Sequence, residues 1–149
     1  MEIGLKRLLL VEDNPHDIEL TLEALSEYRI SNRTDIARDG TEALDYLYRQ
    51  GKFKDRPEGN PVAILLDIKL PKVNGLEVLK RIRSDERLKL IPVAILSSSR
   101  EEQDLIQGYE LGVNAYIVKP VEFQKFVDAV KALGLFWAIL NEPPPGCLQ

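Results

Sequence analysis

Apolar residues occur along this chain in short continuous runs that alternate with stretches where apolar positions recur every three or four residues. A short continuous run is typical of a strand covered on both faces, and the longer spacing is typical of an amphipathic helix. Run and helical stretch follow one another five times. This order predicts an α/β fold, with five strands in a doubly wound parallel sheet and five helices. The predicted strands are Leu8–Val11, Thr34–Ala37, Val62–Leu66, Ile91–Leu96 and Val113–Val118.

Residues suited to helix starts follow the first four runs. Asparagine, aspartate and serine side chains accept hydrogen bonds from the first N–H groups of a helix, and proline is tolerated at its first position. The first helix is predicted to extend to about Tyr28. The predicted start signals are Asn14-Pro15, Asp39-Gly40, Asn74-Gly75, and Ser99 with Glu102 at capping-box spacing.

Three further segments have distinct patterns. The fourth helix is predicted to carry Leu105, Ile106 and Tyr109, and the fifth to continue past a glycine to Leu140. The segment Gly51–Pro61 holds glycines, prolines and charges and is predicted to be a loop, longer than the usual 2–6 residues between such elements. The proline-rich tail is predicted to be non-helical.

Length and charge limit the function classes. At 149 residues with a net charge of −4, the chain fits one domain of ordinary size, and we expect this domain to be residues 1–140, followed by a tail, 141–149, with no separate output domain. Acidic and basic residues are mixed along the chain, without the basic stripe that neutralises nucleic-acid phosphates, so we expect no direct nucleic-acid binding. No apolar run approaches the ~20 residues of a membrane helix, and no secretory signal is evident, so we expect a cytoplasmic protein without a membrane partner.

Polar residues collect at the carboxyl ends of the predicted strands. Parallel strands point these ends to one edge of the sheet, where α/β proteins place their chemistry. Three carboxylates brought together repel one another unless a cation neutralises them, and hard oxygen ligands at a partly open site favour Mg²⁺. The sequence therefore predicts a magnesium site at this edge. The converging residues are Glu12, Asp13, Asp67, Ser97 and Lys119.

A lysine and a hydroxyl beside a metal ion complement a phosphoryl group. Lys119 would supply a point charge and Ser97 a hydrogen bond, while Asp67 could act as the in-line nucleophile and form an aspartyl phosphate. Each residue taken alone has a simpler interpretation, such as a turn, a helix cap or a solvated strand end. The hypothesis depends on all of them lying at strand ends.

These residues stand in motifs that resemble the receiver domains of two-component response regulators, over about residues 6–133. The resemblance implies a flavodoxin-like receiver fold in which Asp67 takes phosphate from a histidine kinase and Lys119 and Ser97 grip it. It also implies that Tyr116 moves inward with Ser97 as a switch. The matching motifs are Leu-Leu-Val-Glu12-Asp13-Asn14, Leu-Leu-Asp67-Ile-Lys-Leu-Pro71-Lys-Val-Asn-Gly75, Leu-Ser97-Ser-Ser and Tyr116-Ile-Val-Lys119-Pro120.

The resemblance further implies a ligand set and partners. Asp13 and Asp67 would bind Mg²⁺ directly, Glu12 through water, and the backbone carbonyl of Lys69 would complete the protein ligands. Because no output domain is expected, the fourth helix, fifth strand and fifth helix would form the signalling face. The long loop and the Phe136-Trp137 ending resemble regulators that partner bacterial phytochrome-type kinases, some of which form homodimers through that face.

Two other functions compete with this interpretation. An Mg²⁺-dependent phosphohydrolase with an aspartate nucleophile usually carries a second acid two residues after the nucleophile, where this chain has Lys69. A nucleotide- or flavin-binding module would need a glycine-rich phosphate loop, and none follows any predicted strand. The single histidine, His16, excludes sites that need two imidazoles and is not expected to be a phosphohistidine, since it opens a helix outside any four-helix bundle.

Overall fold

The computed structural model describes residues 6–98, 101–119 and 123–145. Five strands alternate with five helices along the chain, as the hydrophobic pattern predicts. The strands are β1 (Leu8–Val11), β2 (Thr34–Ala37), β3 (Ala63–Leu66), β4 (Val93–Ser97) and β5 (Ala115–Val118). The helices are α1 (Pro15–Ala24), α2 (Gly40–Tyr48), α3 (Gly75–Ser84), α4 (Glu102–Glu110) and α5 (Phe123–Leu135).

The strands form one parallel sheet in the order β2-β1-β3-β4-β5, which confirms the predicted fold class. Strand β3 is the central strand, paired with β1 on one side and β4 on the other. The end of β3 and the end of β1 lie side by side, because Val11 is in register with Leu66. Residues that follow these two strands are therefore neighbours at the carboxyl edge of the sheet.

Side chains of the strands alternate between two cores, one on each face of the sheet. The three central strands are fully buried, and each large apolar side chain removed from water in this way contributes roughly 1.5–3 kcal/mol. One core, packed against α2 and α3, takes Leu9, Val11, Ile64, Leu66, Val93 and Ile95. The other, packed against α1 and α5, takes Leu8, Leu10, Ala63, Leu65, Ala94 and Leu96.

Three of the predicted helix starts have the expected caps. The side chain of Asn14 accepts hydrogen bonds from the first N–H groups of α1, Asp39 accepts from Glu42 in α2, and Asn74 accepts from Glu77 in α3. The predicted capping serine of α4, Ser99, lies outside the described residues. The residue directly before α4 is Glu101, whose side chain makes no capping hydrogen bond.

Helix α1 ends earlier than predicted. It stops at Ala24, and a 3₁₀ segment, Glu27–Arg33, follows. Arg29 in this segment has φ 59°, in the left-handed region, which an α-helix of L-residues does not accommodate. The N–H of Ser31 closes the turn on the carbonyl of Leu25 at 2.7 Å. The prediction of a helix to about Tyr28 was therefore wrong.

Helix α4 contacts the sheet through a glycine. A Cβ at Gly108 would lie 3.1 Å from Cδ1 of Ile95, so the helix backbone approaches β4 at this position. Two of the apolar residues predicted on this helix point away, since Ile106 is 47% exposed and Tyr109 is 58% exposed. Leu105 is half-buried. The apolar spacing did not identify the buried face because the contact residue has no side chain.

The end of the chain follows the predicted path. Helix α5 continues without a break into a π-helical segment, Phe136–Leu140, and residues 142–144 have no regular secondary structure. The segment 51–61 contains a short 3₁₀ turn, Gly51–Phe53, and otherwise lacks helix. Within the described part of the chain, no helix has the length and apolarity needed to cross a bilayer.

Candidate functional site

The five residues that the sequence singled out at strand ends lie at one edge of the sheet. Backbone hydrogen bonds extend the ladder one residue past the strands: the N–H of Glu12 donates to the Ala37 carbonyl at 3.0 Å, and that of Asp67 to the Val11 carbonyl at 3.0 Å. The N–H of Lys119 donates to the Ser97 carbonyl at 2.6 Å. The backbones of Glu12, Asp67 and Lys119 are thus fixed by the neighbouring strands.

Three carboxylates form a cluster at this edge. One oxygen each from Glu12, Asp13 and Asp67 lies within 4.8 Å of the others. Glu12 and Asp67 are buried, whereas Asp13 is exposed. Ligands of an octahedral ion bound at about 2.1 Å lie roughly 3–4 Å apart, so the cluster fits a small divalent cation on a site open to water on one side.

Lys119 brings the only positive charge that the described hydrogen bonds and ion pairs place in this cluster. Its Nζ lies 2.5 Å from Oε1 of Glu12 and 3.8 Å from Oδ2 of Asp67, and its side chain is only 9% exposed. A carboxylate outside the cluster, that of Asp17 in the first turn of α1, lies 3.0 Å from the same nitrogen. The ammonium is therefore closer to two other acids than to Asp67.

Burial and charge shift the pKa values of this pair. Burial raises the pKa of Glu12 to about 7; the hydrogen bond from Lys119 opposes this shift, and the neighbouring Asp67 carboxylate adds to it. Burial alone would lower the pKa of Lys119, but the hydrogen bond with Glu12 and the charges of Asp67 and Glu12 outweigh it, so its pKa is raised. Lys119 is thus held as an ammonium, and a cation bound at the cluster would favour ionised Glu12.

The turn after Asp67 is fixed by its own backbone. The carbonyl of Ile68 accepts hydrogen bonds from the N–H groups of Leu70, at 3.1 Å, and Gly75, at 2.7 Å. Gly75 begins α3 directly against Asp67: a Cβ there would lie 2.0 Å from the carbonyl oxygen of Asp67. Lys69 lies in this turn with an exposed side chain.

Ser97 and Tyr116 lie on the neighbouring strands. Ser97 is fully buried at the end of β4, and Tyr116 in β5 is half-buried and paired with Ile95. The Tyr116 ring lies near Gly108, with Cδ2 3.5 Å from the point a Cβ would occupy. The tyrosine therefore packs beside the point where α4 comes closest to the sheet.

Asp17 is the one site residue that the sequence reasoning missed. It lies four residues after Asp13 in the first turn of α1, where acids are common partners of the helix dipole, so its position alone did not point to the site. Its contact with Lys119 depends on how α1 lies over the sheet. His16, the single histidine, is exposed on the outside of the same turn.

A family comparison agrees with this fold. Residues 8–131 match the response regulator receiver domain, so the chain belongs to this family and is a response regulator receiver. Response regulators are signalling proteins that receive a phosphoryl group from a histidine kinase. The resemblance stated from the motifs is thus confirmed.

Within the family, the chain is similar to phytochrome response regulators. Response regulator Rcp1 from Synechocystis sp. is 40% identical over 132 residues, which are 89% of this chain and 88% of that protein. The structure of the phosphorylated cyanobacterial phytochrome response regulator RcpA has a TM-score of 0.84 at 41% identity and covers 93% of this chain and 98% of that one. The structure of the bacteriophytochrome response regulator RtBRR has a TM-score of 0.76 at 62% identity and covers 95% of this chain and 86% of that one.

A divalent ion is known at one of these relatives. One solved structure of Rcp1 is its Mn²⁺-bound form. It has a TM-score of 0.84 at 39% identity and covers 93% of this chain and 99% of that one. The acidic cluster of the present chain is an independent observation that favours a divalent cation at this edge of the sheet.

Proposed function

We propose that this response regulator accepts a phosphoryl group on Asp67 from a sensor histidine kinase, with Mg²⁺ as the bound cation. One arrangement carries the proposal: Asp67 is 8% exposed at the carboxyl end of the central strand, and the Lys119 ammonium lies 3.8 Å from its Oδ2. A carboxylate buried beside a fixed cation and other acids suits phosphoryl transfer better than helix capping.

Glu12, Asp13 and Asp67 are the proposed holders of Mg²⁺, Glu12 through water, with the backbone carbonyl of Lys69 as a further ligand. The spacing of the three carboxylates supports this assignment. When bound, the cation would stabilise charge on the phosphoryl oxygens as a Lewis acid. The exposed side of the cluster, at Asp13, leaves room for water or a phosphoryl oxygen.

In the proposed transfer, a carboxylate oxygen of Asp67 attacks the phosphorus of a phosphohistidine. The phosphorus–nitrogen bond breaks, and the histidine nitrogen keeps the bonding electron pair. Lys119 and the hydroxyl of Ser97 then donate hydrogen bonds to the phosphoryl oxygens. Water later hydrolyses the acyl phosphate at the same site, so no external substrate is turned over and the protein acts as a switch.

The proposed output is a movement of Ser97 and Tyr116. When the Ser97 hydroxyl turns toward the phosphoryl group, space opens in which the Tyr116 ring can rotate inward, beside the close approach of α4 at Gly108. Phosphorylation needs to supply only the difference in interaction free energy between the two arrangements. The face formed by α4, β5 and α5 would carry the signal to partners.

We further propose that the kinase is of the phytochrome type. The names of RcpA and RtBRR link these relatives to phytochromes, and their similarity extends over more than nine-tenths of this chain. A cytoplasmic location stays a prediction from the sequence.

A homodimer through α4, β5 and α5 is the proposed assembly. Exposed apolar side chains on α4, Ile106 and Tyr109, support it, as do Phe136 and Leu140 just beyond α5. Light scattering is expected to give a mass of about two chains in the presence of Mg²⁺ and a phosphodonor. A mass of one chain with and without phosphorylation would contradict the dimer.

Incubation with Mg²⁺ and labelled acetyl phosphate tests the function. We expect one label per chain, stable on the time scale of isolation and removed by hydroxylamine, as for an acyl phosphate. Rapid release of many phosphates per chain would instead indicate a phosphohydrolase. The sequence argues against that enzyme class, because Lys69 occupies the position where such enzymes usually carry a second acid.

Replacing Lys69 with alanine is expected to shorten the lifetime of the acyl phosphate by about twofold to tenfold. The exposed lysine lies in the turn two residues after Asp67, where its long cationic side chain can cover the phosphoryl group and restrict water. Loss of label after removal of the phosphodonor measures the lifetime. Lys80→Ala, which removes an exposed lysine from α3, is the matched control. Equal rates of label loss in the wild type, Lys69→Ala and Lys80→Ala would contradict a role of Lys69 in the lifetime.

A further inference from the structure

Lys119 is held by a residue to which the receiver chemistry assigns no task. Its Nζ donates to Oε1 of Glu12 at 2.5 Å and to Oδ2 of Asp17 at 3.0 Å, whereas Asp67 lies at 3.8 Å, beyond hydrogen-bond range. An ammonium has three donors, and two of them are used on these acids. Asp17 thus competes for the group that the phosphoryl oxygens would need.

Asp17 is fixed in a position from which it can hold the Lys119 ammonium. It lies in the first turn of α1, and its N–H donates to Oδ1 of Asn14 at 3.2 Å. Its side chain is 29% exposed, and its contact with Lys119 bridges α1 and the end of β5. It is outside the group of three carboxylates that could share a cation, and Lys119 is the cation that the described ion pairs place against it.

We propose that Asp17 is a positioning residue that holds Lys119 in the resting site and thereby limits the stability of phosphorylated Asp67. The inference rests on the proposed function. Movement of Nζ toward a phosphoryl group on Asp67 lengthens its contact with Asp17, and the Asp17 carboxylate is left near a phosphoryl group of the same sign. Both effects favour the resting state. Partial exposure lets water solvate Asp17, which keeps the effect moderate.

Asp17→Asn removes this charge at nearly constant shape and leaves the helix cap, Asn14, in place. We expect the acyl phosphate to last about threefold to tenfold longer than in the wild type, and the affinity for beryllium fluoride, measured with Mg²⁺ by calorimetry, to rise by a similar factor. Affinity for Mg²⁺ alone is expected to stay within about twofold, since Asp17 is not in the acidic cluster.

Glu19→Gln is the matched control, because it removes an exposed acid from the same helix and is expected to change neither quantity. In the background of Lys119→Met, the Asp17→Asn substitution is expected to have no further effect on beryllium fluoride affinity, since the shared partner is missing. An effect of equal size in that background would overturn the proposal.

The outcomes separate the inference from the function on which it rests. If the folded Asp17→Asn protein takes the label but matches the wild type in lifetime and in beryllium fluoride affinity, or binds more weakly, the role of Asp17 is overturned alone. If the wild-type protein takes no label at Asp67, the proposed function itself is wrong. A purely structural role would lower the melting temperature and leave lifetime and affinity unchanged.

Discussion

Asp67→Asn is expected to incorporate no detectable label from acetyl phosphate, at least about a hundredfold less than the wild type. The amide oxygen lacks the negative charge that makes the carboxylate a nucleophile, and the substitution also takes one of three acids from the cluster. The amide is similar in size to the carboxylate, so the buried site can keep its packing. Labelling is measured by mass spectrometry of the intact chain.

Asp55→Asn is the control for this substitution. Asp55 is an exposed acid in the segment after α2, so the change in net charge is the same while the acidic cluster is untouched. We expect full labelling of this variant. Retention of a hydroxylamine-labile label in folded Asp67→Asn would place the acceptor on another residue and contradict the proposed function.

Gly75→Ala is expected to lower the free energy of unfolding by about 3 kcal/mol or more, which corresponds to a fall of roughly 6–12 °C in melting temperature. The new Cβ would meet the Asp67 carbonyl oxygen at 2.0 Å and Cα of Ile68 at 2.8 Å. Both neighbours are backbone atoms, and the hydrogen bond from the Gly75 N–H to the Ile68 carbonyl holds them close. The clash therefore displaces the turn that follows Asp67.

Urea and thermal denaturation measure the loss, and Gly108→Ala provides the comparison. At Gly108 the nearest atom is the end of the Ile95 side chain, at 3.1 Å, which can move, and alanine raises helix propensity by ~1 kcal/mol. A change within about 1 kcal/mol is expected there. Equal stabilities of Gly75→Ala and the wild type would show that the turn can relax, contrary to the prediction.

Much of the fold followed from the sequence because the signals were local. Continuous apolar runs marked strands buried on both faces, and polar residues at their ends met at one edge because parallel strands share a direction. The positions of Glu12, Asp67 and Lys119 in one cluster are a direct result of this topology. The family comparison agreed with the motifs that these strand ends carry.

Other features depended on contacts between distant parts of the chain. The link between Asp17 and Lys119 joins the first helix to the last strand, and no local pattern records it. Helix α1 ends at Ala24, and the chain then turns through a 3₁₀ segment in which Arg29 has a left-handed conformation, which this residue type seldom adopts. The inner face of α4 was hidden because a glycine makes the contact with β4.

The proposed phosphoacceptor and the proposed switch tyrosine belong to strands that differ in burial. Asp67, the proposed phosphoacceptor, follows β3, which is buried on every side, whereas Tyr116 lies in β5, an edge strand whose residues are all half-buried. Local opening costs least free energy where few apolar groups leave water, so the edge can rearrange while the central strands stay closed. The proposed phosphoacceptor, Asp67, therefore lies where local opening costs most free energy, and the proposed switch residue, Tyr116, lies on a strand where it costs less.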